Sequence, residues 1–107
     1  MTKPNIAIDF DGVIHAHKNP IEGRRMGPPI EGAKEALKTL SRKYNIIIFS
    51  VWGDKPKTIE DFMKYYELSF NSVTNIKPNA TFYIDDRGLH FNSWSETLAE
   101  VDKRSLT

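Results

Sequence analysis

Two aspartates, Asp9 and Asp11, stand two residues apart at the end of the apolar run Ile6-Ala7-Ile8, and Gly12 follows at once. On an extended strand this spacing puts both carboxylates on one side with Phe10 facing the other way, and a glycine lets the chain turn sharply beyond them. Desolvating unpaired carboxylates is expensive, so two of them at the tip of a buried strand imply a cation or a reacting group in the space beyond. A hard dication such as Mg2+, bound through carboxylates, backbone oxygens and substrate phosphate, would hold the two charges together. One carboxylate can then attack while the other manages a proton, as in phosphoryl transfer through an aspartyl-phosphate. Asp-x-Asp-Gly also occurs in plain surface turns and in calcium loops, but the third aspartate and later glutamate of a calcium loop are absent here.

Such a site needs strands to deliver it, and the rest of the chain reads as alternating strand and helix. After a first strand over Ile6 to Asp9, residues 14 to 29 are irregular and polar, with Pro20, Gly23, Gly27, Pro28 and Pro29, and suit a flap over the site. Ala33, Ala36, Leu37 and Leu40 recur at helical spacing between Gly32 and Ser41, and Ile46-Ile47-Ile48-Phe49-Ser50 is the continuous apolar run of a buried parallel strand. Thr58-Ile59-Glu60-Asp61 resembles a capping box, and Ile59, Phe62, Met63 and Tyr66 carry a second helix after Pro56. A short strand is expected over Phe70 to Thr74, a β-rich run over Thr81-Phe82-Tyr83-Ile84 ends in Asp85-Asp86-Arg87-Gly88, and a last amphipathic helix fits Ser95 to Lys103.

Composition narrows the class. The 107 residues suit one domain with a single core and leave no room for a second folded unit. There are no cysteines, which removes disulfides and thiolate zinc sites and agrees with a reducing cytosol. No apolar run approaches the roughly 20 residues that span a bilayer, and the N-terminus lacks the apolar stretch of a signal peptide, so a soluble, cytoplasmic protein with no membrane partner is expected. Fifteen basic against fourteen acidic residues leave a formal charge of +1, so no global field argues for nucleic acid or membrane.

Strands alternating with helices imply a parallel sheet, and open α/β sheets bind ligands beyond the carboxyl ends of their strands. Asp9 with Asp11, Ser50, and Asp85 with Asp86 all stand at such ends. Four carboxylates in one crevice would repel one another and destabilise the fold without a cation, and Mg2+ answers that need.

These residues together resemble the haloacid dehalogenase superfamily of phosphatases, recognised by four short motifs at successive strand ends. Here the matches fall in order: Asp9-Phe10-Asp11-Gly12-Val13, then Ser50 after Ile46 to Phe49, then Lys77, then Asp85-Asp86 after Phe82-Tyr83-Ile84. The resemblance spans nearly the whole chain. Lys77-Pro78, Tyr83-Ile84-Asp85-Asp86-Arg87 and Phe91-Asn92-Ser93-Trp94 are similar to small members of bacteria and phages, and Asp85-Asp86-Arg87 is similar to the phosphatase domain of phage polynucleotide kinase. The resemblance implies a Rossmann-like three-layer α/β/α fold with a small parallel sheet. It also implies Asp9 as nucleophile, Asp11 as the acid and base, and Mg2+ held by Asp9, the backbone carbonyl of Asp11 and the Asp85-Asp86 pair, Asp86 directly and Asp85 in support. Ser50 would hydrogen-bond a phosphoryl oxygen and Lys77 would offset charge on Asp9 and phosphate. Gly12, Val51, Trp52 and Arg87 are expected on the substrate side.

Each residue also has a plainer role. Ser50 could simply end its strand, Lys77 could be a solvated lysine, Arg87 a salt-bridge partner of the adjacent acids, and Trp52 a packing residue under the flap. His15 and His17 offer two imidazoles on one side of an extended segment but lack a third zinc ligand, and are expected to line the flap or face solvent. Arg24 and Arg25 could reach a phosphate from the flap or be ordinary surface cations. Lys55 and Lys57 read as loop charges, and Tyr65-Tyr66 as partly core.

The insert after Asp11 and the segment after Ser50 are too short for a folded cap. By analogy with capped relatives, a capless member has an open crevice suited to a large or extended substrate such as a phosphorylated nucleic-acid end, or to completion by a partner chain. The expected function is phosphomonoester hydrolysis with Mg2+. A nucleic-acid or nucleotide end phosphatase and a binding or regulatory module without turnover are the alternatives.

Overall fold

The computed structural model describes residues 3–10, 12–15, 28–50, 56–76, 78–85 and 89–105, with backbone alone at Asp85, Leu89, His90 and Ser105. The elements are β1 (Asn5–Asp9), α1 (Ala33–Leu40), β2 (Asn45–Phe49), α2 (Pro56–Tyr65), β3 (Ser72–Thr74), β4 (Phe82–Asp85), β5 (Leu89–His90) and α3 (Trp94–Ser105). They form an α/β unit whose five-stranded sheet has the order β3-β2-β1-β4-β5, every pair parallel. β5 is a two-residue edge that the alternation of apolar residues does not announce, because two residues carry no periodicity.

β1 is the central strand. Ile6 and Ile8 lie beside Ile46 and Ile48 of β2, and Ile8 lies beside Ile84 of β4. All five of these isoleucines are fully buried. They share one face of the sheet, since side chains alternate along a strand. Against that face pack Ala33, Ala36, Leu37 and Leu40 of α1, Ile59, Phe62 and Met63 of α2, and Trp94 and Val101 of α3, all in one apolar cluster. The β1-α1-β2 and β2-α2-β3 crossovers both step the same way across the sheet, so a right-handed path places both helices on the same side.

The opposite face carries Ala7, Ile47, Phe49 and Tyr83, and no described helix covers it. Among the described residues the expected three layers are therefore two. The reason lies in the return from β3 to β4, which runs in the other direction across the sheet and so over the other face. Residues 75–81 make that return. They must pass two intervening strands, about 14 Å, and also run back along the strand direction, which uses most of the roughly 23 Å that seven extended residues can span. No length remains to coil into a helix. Its end is tied down where the Ala80 N–H donates to Tyr83 Oη at 3.0 Å and the Thr81 N–H to the Asn5 carbonyl at 2.8 Å.

Helix starts explain the small shifts from expectation. α2 begins at Pro56, which has no N–H to leave unsatisfied in a first turn, so Thr58 lies inside the helix and not at its start. Lys57 is a helix residue rather than a loop charge, with its ammonium 3.5 Å from Asp61 on the exposed surface. α3 begins at Trp94, one residue before the expected start, because Ser93 is the cap and accepts from the Glu96 N–H at 3.2 Å. Tyr65 is exposed while Tyr66 packs its ring on Phe62 at 4.8 Å, so only one of that pair is partly core. No described helix is long and apolar enough to cross a membrane.

Candidate functional site

The carboxyl ends of β2, β1 and β4 lie side by side. Asp9 pairs in register with Phe49, so Ser50 stands one residue beyond that pair. On the other side the last pair is Ile8 with Ile84, and Asp9 and Asp85 each stand one residue beyond it. Register alone thus brings three of the sequence-derived positions, Asp9, Ser50 and Asp85, to one edge of the sheet. The strand ends are pinned by the Phe10 N–H donating to the Phe49 carbonyl at 3.0 Å and the Ser50 N–H donating to the Thr74 carbonyl at 3.2 Å.

Asp9 is half-buried, and its Oδ1 is shut off from solvent. Ser50 is fully buried, an unusual position for a hydroxyl that only ends a strand. Gly12 takes φ 80°, the left-handed conformation that a turn of this sharpness needs and that other residues enter at a cost. Phe10 points away from Asp9 into the core, as alternation requires, and is fully buried.

The loop between Phe10 and His15 is closed on itself. The Gly12 N–H donates to the His15 carbonyl at 2.8 Å, and the Ile14 and His15 N–H groups both donate to the Phe10 carbonyl, at 3.1 and 3.4 Å. His15 then corrects an expectation: it does not face solvent. It is fully buried, with its ring 4.4 Å from Phe10 and 5.8 Å from Phe62 by centroid. The apolar neighbours Val13 and Ile14 are the sequence signal for that burial, outweighed in the reading by the attraction of a His-x-His pair. His15 also bridges Pro29 in antiparallel fashion, and the Ile30 N–H donates to the Ile14 carbonyl at 2.7 Å, so the two stems of the segment 16–27 are joined at its base.

A second contact was not expected from the sequence. The indole Nε1 of Trp94, at the first turn of α3, donates to the Val13 carbonyl at 3.2 Å inside the core. The Ser93-x-x-Glu96 pattern, a capping box placed one residue ahead of the tryptophan, was the available signal.

Asp11, Val51, Trp52, Lys77, Asp86 and Arg87 lie outside the described residues, as do His17, Arg24, Arg25 and Lys55, and the same holds for the Asp85 side chain. Among the described residues no group of three or more His, Cys, Asp or Glu comes together to hold a metal ion. At that edge Asp9 is half-buried with its Oδ1 closed to solvent, and it stands beside the strand that ends in Asp85. The chain matches no family model, no curated protein and no solved structure.

Proposed function

We propose that the protein is a Mg2+-dependent phosphomonoester hydrolase, a capless member of the haloacid dehalogenase superfamily acting through a phosphoaspartate. The observation that carries this reading is the register that sets Asp9 between Ser50 and Asp85 at the carboxyl edge of three adjacent parallel strands. That edge is where open parallel sheets do their chemistry. A Rossmann-like arrangement is the finer fold that goes with it.

In the proposed reaction Asp9 attacks phosphorus and displaces the alcohol oxygen, whose departing electron pair takes a proton from Asp11. The product of this step is an acyl phosphate on Asp9. Water then attacks the same phosphorus as Asp11 takes its proton back, and inorganic phosphate leaves with the Asp9 carboxylate restored. Ser50 donates its hydroxyl to a phosphoryl oxygen, and Lys77 balances the charge that builds up as two anions meet. Asp9, the Asp11 carbonyl and the Asp85-Asp86 pair would hold Mg2+, which supplies charge neutralisation between carboxylate and phosphate.

Hydrolysis of p-nitrophenyl phosphate tests the reading, with Mg2+, with EDTA, and with Asp9→Asn beside the unaltered protein. Turnover that needs the metal and disappears in the variant is expected. Turnover that survives Asp9→Asn overturns the nucleophile. With no turnover in any condition, a rise in melting temperature with Mg2+ and beryllofluoride together marks a selective enzyme, and its absence marks a binding module.

A further inference from the structure

We infer that Trp94 is a positioning residue, and that α3 belongs to the apparatus holding the Asp9–Val13 turn in its working shape. The inference rests on the phosphatase reading for its catalytic consequence, but its structural part stands without it.

The turn is anchored on both sides. On its near side the Phe10 N–H is fixed to β2 through the Phe49 carbonyl, and the Phe10 carbonyl is fixed by the Ile14 and His15 N–H groups. On its far side the Gly12 N–H is fixed to the His15 carbonyl. All of these bonds lie within the turn or between the turn and the strand beside it. The Trp94 Nε1–H to Val13 carbonyl bond is different in kind, since it ties the turn to a helix from the other end of the chain. The donor is 3 % exposed, as is Val13, so water does not substitute for it when it is lost.

The indole is itself held in place. Ser93 caps the helix immediately before it, Phe91 packs its ring 5.3 Å away, and Gly32 at the start of α1 comes so close that a Cβ there would lie 3.4 Å from Trp94 Cβ. A rigid donor on a capped helix, aimed at one carbonyl of a turn that carries a reacting carboxylate, fixes geometry more than it adds stability. Small misplacements of reacting groups are costly in rate, so a lost anchor shows in kcat before it shows in binding.

The test replaces Trp94 with benzothienylalanine, which keeps the ring outline and puts sulfur where the N–H stood, alongside Trp94→Phe and the control Val101→Ala, which loosens α3 without touching Val13. Amide hydrogen exchange is read first. Exchange at Gly12, Ile14 and His15 is expected to quicken about tenfold in the benzothienyl protein, while Ala36 of α1 and its C-cap Ser41 stay unchanged. Unchanged exchange in the turn, or a rise shared equally by α1, overturns the inference. In the phosphatase assay kcat is expected to fall about tenfold with KM within twofold, a split that Val101→Ala does not reproduce. If the unaltered protein hydrolyses no phosphomonoester and Mg2+ with beryllofluoride does not raise its melting temperature, the phosphatase reading fails on those two results, and the exchange pattern still decides the role of Trp94.

Discussion

Asp9 is the register partner of Phe49, and that one pairing decides which residue of β2 can share a site with the first strand. A slip by one residue would put Phe49 beyond the pair in place of Ser50 and would turn the isoleucines of β2 to the wrong face. The core and the candidate site are therefore specified by the same register.

Asp9→Asn is expected to abolish phosphomonoester hydrolysis while leaving the metal-free protein as stable as before or more so, because it removes one of the carboxylates proposed to share that edge. Melting curves with and without Mg2+, beside the hydrolysis assay, check both halves. Asp11→Asn is expected to keep Mg2+ affinity, since the backbone carbonyl is its proposed ligand, and to slow both loss of the alcohol and hydrolysis of the intermediate. Calorimetric titration of Mg2+ into the two variants separates these roles, and equal loss of affinity in both would contradict them.

Ser50→Ala removes the proposed donor to the phosphoryl group and is expected to lower kcat about tenfold to a hundredfold. The backbone bond from Ser50 to Thr74 remains, so the sheet edge should persist. A variant that loses its cooperative melt along with its activity would assign Ser50 to the core instead.

Gly32 precedes α1 at φ 85°. Gly32→Ala forces a side chain into that left-handed conformation and against Trp94, and a loss of about 1–2 kcal/mol is expected in urea unfolding. The m-value should stay the same, since the denatured chain gains no new surface.

Tyr83→Phe deletes the hydroxyl that accepts from the Ala80 N–H on the face away from the helices. The expected loss is about 0.5–1.5 kcal/mol, with faster amide exchange confined to Ala80 and its neighbours. Exchange that quickens throughout β4 would mean that the return segment holds the strand and is not merely held by it.

Much of the fold was legible because the long elements repeat their signal. The runs at Ile6 and Ile46 and the helical spacing of Ala33, Ala36, Leu37 and Leu40 each give several residues that agree. The site edge followed from those runs, since polar residues at strand ends need only the strands to be right. Two features were less legible. His15 was drawn toward surface roles by its chemistry, whereas the aromatic partner Phe62 that buries it comes from a helix over forty residues away. The two layers seen among the described residues were less legible because handedness and loop length act together: only seven residues lie between β3 and β4.

The position of β1 also bears on how the chain is made. Of the described strands it leaves the ribosome first, yet it is the centre of the sheet, with β2 on one side and β4 on the other. During synthesis its second edge stays open until residue 85 has emerged, well after β2 has closed the first. A chain stopped at residue 80 would present the Ile6–Ile8 backbone as an unpaired edge, the surface on which nascent chains join strand to strand, and would aggregate where the 107-residue chain folds.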